Sequence, residues 1–111
     1  MKKYCLALDL KDDPELIGQY KEHHRKVWPE ITKSLRDSGI EKAEIYNVGN
    51  RLFMILEVND SFSFKQKEQM DNANEKVQEW EDLMWEYQQK LPWAKQNEKW
   101  MLMDKIYELK D

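Results

Sequence analysis

The chain has one cysteine, Cys5, with three glycines and three prolines in 111 residues. A single thiol excludes an internal disulfide framework and any multi-cysteine metal cluster. No Gly-rich loop exists to cradle a phosphate, so a nucleotide cofactor has no visible seat. Hinges are few, and there is no internal repeat, low-complexity tract or long linker. No apolar run approaches the ~20 residues of a membrane span. The N-terminal Met1-Lys2-Lys3-Tyr4-Cys5 stretch meets charge at Asp9 before a signal-peptide core builds up. Positive charge is not in excess, since 18 Lys+Arg against 22 Asp+Glu give a net charge of -4. That balance makes the chain a poor candidate for binding a nucleic-acid backbone, which needs concentrated positive charge. The expectation is a cytoplasmic chain with no nucleic-acid partner and no membrane partner.

What is present is a folding composition. The 41% hydrophobic and 12% aromatic fractions are too rich for disorder, even with 36% charged residues. The length fits one domain over residues 1–111. Tyr4 to Leu10 alternates as a strand, with Tyr4, Leu6, Leu8 and Leu10 on one face. Asp12-Asp13-Pro14-Glu15 starts a helix, with an aspartate cap, a proline that lacks the orphan amide, and a glutamate at the positive dipole end. The apolar stripe Leu16, Ile17, Tyr20, His24, Val27, Ile31 and Leu35 extends that helix to Ser38-Gly39, with a kink expected at Pro29.

Two β-like runs follow, Ala43 to Val48 and Leu52 to Val58, joined by Gly49-Asn50-Arg51 as a hairpin. A short helix is expected around Phe64 to Met70 and a longer one from about Asn74 to Gln89. A last strand is expected from Trp100 to Leu109, with its alternation broken by Asp104-Lys105. The order β-α-β-β-α-β predicts an α+β, ferredoxin-like domain with helices on one sheet face. The other face, expected to carry Met54, Leu56, Met101 or Met103, needs a cover. Sheet-to-sheet pairing into a homodimer, a dimeric α+β barrel, supplies one.

Chemistry concentrates in Tyr20-Lys21-Glu22-His23-His24-Arg25-Lys26-Val27-Trp28-Pro29-Glu30. Tyr20, His24 and Trp28 follow the i, i+4, i+8 spacing of one helix side. They offer a phenol, an imidazole and a flat apolar wall, although such a face is more commonly core. His24 is the group able to exchange protons near neutral pH. His23 lies off the stripe and is expected in solvent. Adjacent histidines point about 100° apart on a helix, so no metal site is expected. Trp80, Trp85, Trp93 and Trp100 form a second aromatic group. Their flat faces suit either a sugar ring or a Trp-rich core and interface. Glu57 and Glu81 are surface charges unless they face a cleft. Cys5 has no activating neighbour in sequence and is expected to be inert.

The string Tyr20-x-x-x-His24-x-x-x-Trp28-Pro29-Glu30, in a chain of this length and order, resembles the L-rhamnose mutarotase family. The similarity extends through the first strand, the Gly39 stop, the Ile45-Tyr46 and Leu52-Phe53 strands ending at Glu57, and Gln78-x-Trp80. The resemblance implies a dimeric ferredoxin-like fold and cofactor-free interconversion of the α and β pyranose anomers of a 6-deoxyhexose. It implies His24 as proton donor, with Tyr20 and Trp80 contacting the monosaccharide. At two further family positions, Glu81 stands where a second tryptophan is found and Ala43 where a tyrosine is found. These departures lie in the sugar pocket and make L-fucose a competitor to L-rhamnose as substrate.

Overall fold

A computed structural model describes residues 2–96 and 98–110. The first strand, β1 (Lys2–Leu10), lies inside the sheet. Leu6, Leu8 and Leu10 are all buried, as period-two alternation requires when one face is covered. β2 (Ile40–Val48) and β3 (Arg51–Val58) form the hairpin. It closes with two residues rather than three, because Arg51 already pairs with Val48 across the hairpin and with Asp9 of β1. Gly49, at the first turn position, has φ 55°, a conformation that glycine adopts without a Cβ penalty.

β3 pairs antiparallel with β1, setting Met54 opposite Leu6 and Leu52 opposite Leu8. Two short strands, β4 (Gln88–Gln89) and β5 (Met101–Leu102), share the remaining edge of β1. The sheet order β2-β3-β1-β4, with helices on one face, is the ferredoxin-like α+β arrangement.

The stretch from Asp13 to Ser38 forms two helices instead of one kinked helix. In α1 (Pro14–His23), Asp13 caps the amides of Glu15 and Leu16 at 2.9 and 3.3 Å. α2 (Pro29–Asp37) begins at the proline itself. A residue before proline is pushed out of the α region, and Trp28 is extended, with ψ 137°. The result is a full break, with Pro29 serving as the first residue of a new helix. Gly39 ends α2 with φ 102°, as the sequence leads one to expect of a C-terminal stop.

α3 (Phe64–Asn72) and α4 (Glu75–Trp85) follow, the latter capped by Asn74. α4 stops before Gln89 because Gln88 and Gln89 pair with Leu10 and Asp9. Backbone groups of the β1 edge need partners, and this need overrides the helix-forming residues there. The expected final strand shrinks to Met101–Leu102, with one further bond from the Met103 amide to the Cys5 carbonyl. Beyond the break in alternation at Asp104-Lys105 the chain is exposed, including Ile106, Tyr107 and Leu109.

Two adjoining clusters fill the helix side. One gathers Leu10, Tyr20, Ile31, Leu52, Val77, Trp80, Met84 and Tyr87; the other gathers Leu6, Ile40, Leu56 and Val58. Met54 and Leu56 therefore belong to the helix-covered face, a correction that follows from register, since residues opposite one another share a face. Cys5, Ala7, Phe53, Ile55 and Met101 lie on the open face, with Tyr46, opposite Phe53, half exposed beside them. There the buried carboxylate of Asp9 accepts two bonds from Arg51, at 2.7 and 3.1 Å.

Candidate functional site

Between the helices and the β2–β3 half of the sheet lies an open cavity of about 680 Å³. This is within the range of roughly 300–1,000 Å³ usual for small-molecule sites. Tyr20 and His24 reach it from α1 and its C-terminal cap, Trp80 and Glu81 from α4, and Ala43 from β2. All five residues singled out in the sequence thus line one space. Ala43 sits opposite Leu56 on β3 and carries no side chain beyond its methyl group, which leaves the β2 wall open.

Tyr20 and His24 are one helical turn apart with ring centroids 4.4 Å from each other. The Nδ1–H of His24 donates to the backbone carbonyl of Tyr20 at 2.9 Å. That bond selects the tautomer: in the neutral ring, Nε2 is the basic nitrogen. Among the described residues Nε2 has no hydrogen-bond partner. Burial lowers the His24 pKa below its ordinary value, opposed by the bond to the Tyr20 carbonyl, with the charge of His23 also lowering it. The ring is neutral at pH 7.

The Tyr20 hydroxyl is pushed up to about 12, first by burial, with Glu81 adding to the rise and the bond from Gln88 opposing it. It stays protonated throughout the physiological range. Gln88 Nε2 donates to Tyr20 Oη at 3.3 Å, while Gln88 Oε1 is buried with no partner among the described residues. An unpaired buried amide oxygen costs about 1–3 kcal/mol.

The aromatic wall differs from a straight stack along one helix. Trp80 lies between His24 and Trp28, meeting each edge-on with centroids at 5.6 and 5.1 Å. The helix break swings Trp28 behind Trp80 instead of above His24. Glu81 forms an ion pair with Lys99, whose Nζ also lies 5.0 Å from the centre of the Trp85 ring. Lys99 and Trp100 complete the rim.

His23 points elsewhere. It is half-buried rather than fully exposed, shares a hydrogen bond of 3.1 Å with the Tyr87 hydroxyl, and lines a separate depression of about 290 Å³. Glu57 is opposite Lys3 on the open sheet face, away from the cavity. Trp93 is exposed near Arg51. Among the described residues no group of three His, Cys, Asp or Glu side chains is placed to hold a metal ion.

Sequence reasoning missed Gln88 and Lys99. Gln88 was hidden inside an expected helix, and a lone lysine nineteen residues beyond Trp80 carries no spacing signal. The one available clue was the proximity of Lys99 to Trp100, already in the aromatic group.

This fold hosts more than one chemistry. The structure superposes with TM-score 0.68 on the tetracenomycin F2 cyclase of Streptomyces glaucescens, at 12% identity, covering 100% of this chain and 99% of that one. It superposes with TM-score 0.72 on the L-rhamnose mutarotase of Formosa agariphila, at 22% identity, covering 99% and 100% of the two chains. A dimeric ferredoxin-like protein from an uncultured marine organism also superposes, with TM-score 0.56 at 11% identity, covering 97% of this chain and 91% of that one. The shared class is the ferredoxin-like α+β fold.

Sequence narrows the class to a family. Residues 3–109 match the family model for L-rhamnose mutarotase. An L-fucose mutarotase of Xanthomonas campestris is 39% identical, across 100% of this chain and 90% of that protein. The chain belongs to the L-rhamnose mutarotase family, and with it to the carbohydrate isomerases that exchange sugar anomers.

Proposed function

We propose that the cavity interconverts the α and β pyranose anomers of a 6-deoxyhexose, L-fucose or L-rhamnose, by general acid–base catalysis without a cofactor. The observation that carries this reading is the pairing of an oriented imidazole with a protonated phenol on one cavity wall. Opening a pyranose removes a proton from the anomeric hydroxyl and delivers one to the ring oxygen as the C1–O5 bond breaks. His24 Nε2 takes the first proton and Tyr20 Oη–H supplies the second. Rotation about C1–C2 presents the other aldehyde face. On closure O5 attacks C1, its proton returns to Tyr20, and the His24 proton passes to O1.

His24 is therefore acceptor on opening and donor on closure. Its starting form is the neutral ring, so on opening it acts as the base, the reverse of the proton-donor role that the resemblance implies for it. Trp80 supplies an apolar wall to the sugar, and the Glu81–Lys99 pair offers acceptor and donor to neighbouring hydroxyls. L-Fucose is favoured by the relative at 39% identity and by the open wall at Ala43.

The test is saturation-transfer NMR on both sugars at equilibrium. Accelerated magnetisation exchange between the anomers supports the reading. Line broadening without exchange would make the chain a sugar binder and overturn it.

The reading includes a homodimer closed by the open sheet face. It is supported by Phe53, Ile55 and Met101 on that face and by the exposed apolar residues Ile106, Tyr107 and Leu109 beyond β5. A second copy of the same face is a self-complementary cover for such a surface.

A further inference from the structure

Behind the Tyr20 hydroxyl sits a primary amide whose presence packing does not explain. Gln88, on the two-residue strand β4, is 4% exposed. Its Nε2 donates to Tyr20 Oη at 3.3 Å and its Oε1 is left without a partner among the described residues. A methionine or leucine would occupy the same volume with no oxygen to leave unpaired. What the amide does, and a hydrocarbon does not, is fill the acceptor side of the phenol.

A phenolic oxygen carries one hydrogen and accepts on its remaining side. With Nε2 seated there, the hydroxyl hydrogen is committed to another acceptor. This commitment matters for a pyranose. Its hydroxyls both donate and accept, whereas its ring oxygen only accepts. A group locked as donor cannot turn to accept from a hydroxyl, and stays able to serve the ring oxygen, where negative charge develops as the ring opens. Tyr20 is fixed at both ends: its carbonyl orients His24, and its hydroxyl is oriented by Gln88.

We propose that Gln88 is a positioning residue for anomer exchange, holding the Tyr20 hydroxyl as a hydrogen-bond donor toward the sugar. The proposal rests on the mutarotase reading of this cavity. It acts through Tyr20 alone, so its effect disappears when the phenol oxygen is removed.

The experiment measures kcat and KM for L-fucose exchange in the full chain, wild type against Gln88→Met, Gln88→Glu, Tyr20→Phe and Tyr20→Phe/Gln88→Met. Methionine keeps the shape without the amide, and should lower kcat about 10- to 100-fold through lost orientation with little change in KM. Glutamate has no N–H to give and accepts the phenol hydrogen instead, which turns the donor away from the sugar. It should be at least as impaired as methionine. In the Tyr20→Phe background the methionine substitution should have no further effect, the signature of two residues acting as one unit. A merely structural role would lower activity by the same factor in both backgrounds, and that result overturns the proposal. Full activity of Gln88→Glu overturns it too, since the amide oxygen would then be the atom facing Tyr20. Should Gln88→Met fail to fold, Gln88→Glu carries the same comparison in the Tyr20→Phe background. If the wild type accelerates exchange of neither L-fucose nor L-rhamnose, the mutarotase reading and this proposal fall together. Wild-type activity with additive Gln88 effects removes this proposal alone.

Discussion

The His24 imidazole donates its Nδ1–H to the carbonyl of Tyr20, one helical turn earlier and 2.9 Å away. Burial of the ring, working against this bond, favours the neutral form, and the bond leaves Nε2 as the basic nitrogen of that form. Catalysed exchange is therefore expected to be level above pH 6.5, the ordinary imidazole value, and to decline only below it. Rates are measured across pH 5 to 8, with the uncatalysed and acid-catalysed background subtracted. A catalysed rate that climbs on acidification would show protonated His24 to be the starting form. Stability follows the same sign. An unfolded His24 takes its proton at the ordinary value and the folded one only at lower pH. Its contribution is thus complete above pH 6.5 and is lost as pH falls through the folded pKa.

The two histidines are separable. His24 lines the large cavity, while His23 is tied to Tyr87 beside a different depression. His24→Asn should lower catalysed exchange by ~10²–10⁴-fold, the usual range for losing a positioned acid or base. His23→Ala should keep most of the activity. Equal losses in the two variants, with both folded by circular dichroism, would contradict the assignment of His24 to the reacting proton.

Sugar preference is expected to be set by Glu81 and Ala43. Ala43 leaves space on the β2 wall, and Glu81 with Lys99 places a charged acceptor–donor pair at the rim. A pocket built to bond one hydroxyl rejects a sugar that lacks it there, because its own polar groups are then unpaired. The combined substitution Glu81→Trp with Ala43→Tyr should shift the ratio of exchange rates from L-fucose toward L-rhamnose. The ratio is read by NMR on the two sugars separately. An unchanged ratio would place selectivity elsewhere in the cavity.

The open sheet face should be the seat of self-association. Sedimentation or light scattering at micromolar concentration is expected to give twice the 13.6 kDa of the chain. Phe53→Asp or Ile55→Asp, each placing a carboxylate on that face, should shift the population toward single chains. A wild type that remains at 13.6 kDa would remove the dimer.

Local signals carried far in this chain. The alternation of Tyr4 to Leu10 marked β1 and its buried face, Asp13-Pro14 marked the start of α1, and Gly39 marked the end of α2, because each depends on the chemistry of its own few residues. Tyr20 and His24, one turn apart, were likewise legible as neighbours, and the family pattern joined Trp80, Glu81 and Ala43 to them. What side-chain periodicity did not decide was settled partly by local backbone sterics and partly by contacts distant in sequence. The apolar stripe crosses Trp28-Pro29 without interruption, yet the chain breaks there because the residue before proline leaves the α region. Met54 and Leu56 face the helices because β3 is registered against Leu6 and Tyr4 of β1, a pairing invisible within β3 itself. Gln88 left an apparent helix to satisfy the backbone of Leu10, and only there does its amide reach Tyr20. The periodicity of side chains follows from the sequence directly. The pairing of backbone edges, and the polar contacts that pairing creates, exist only once the tertiary structure has formed, since they join atoms that the sequence sets sixty-eight residues apart.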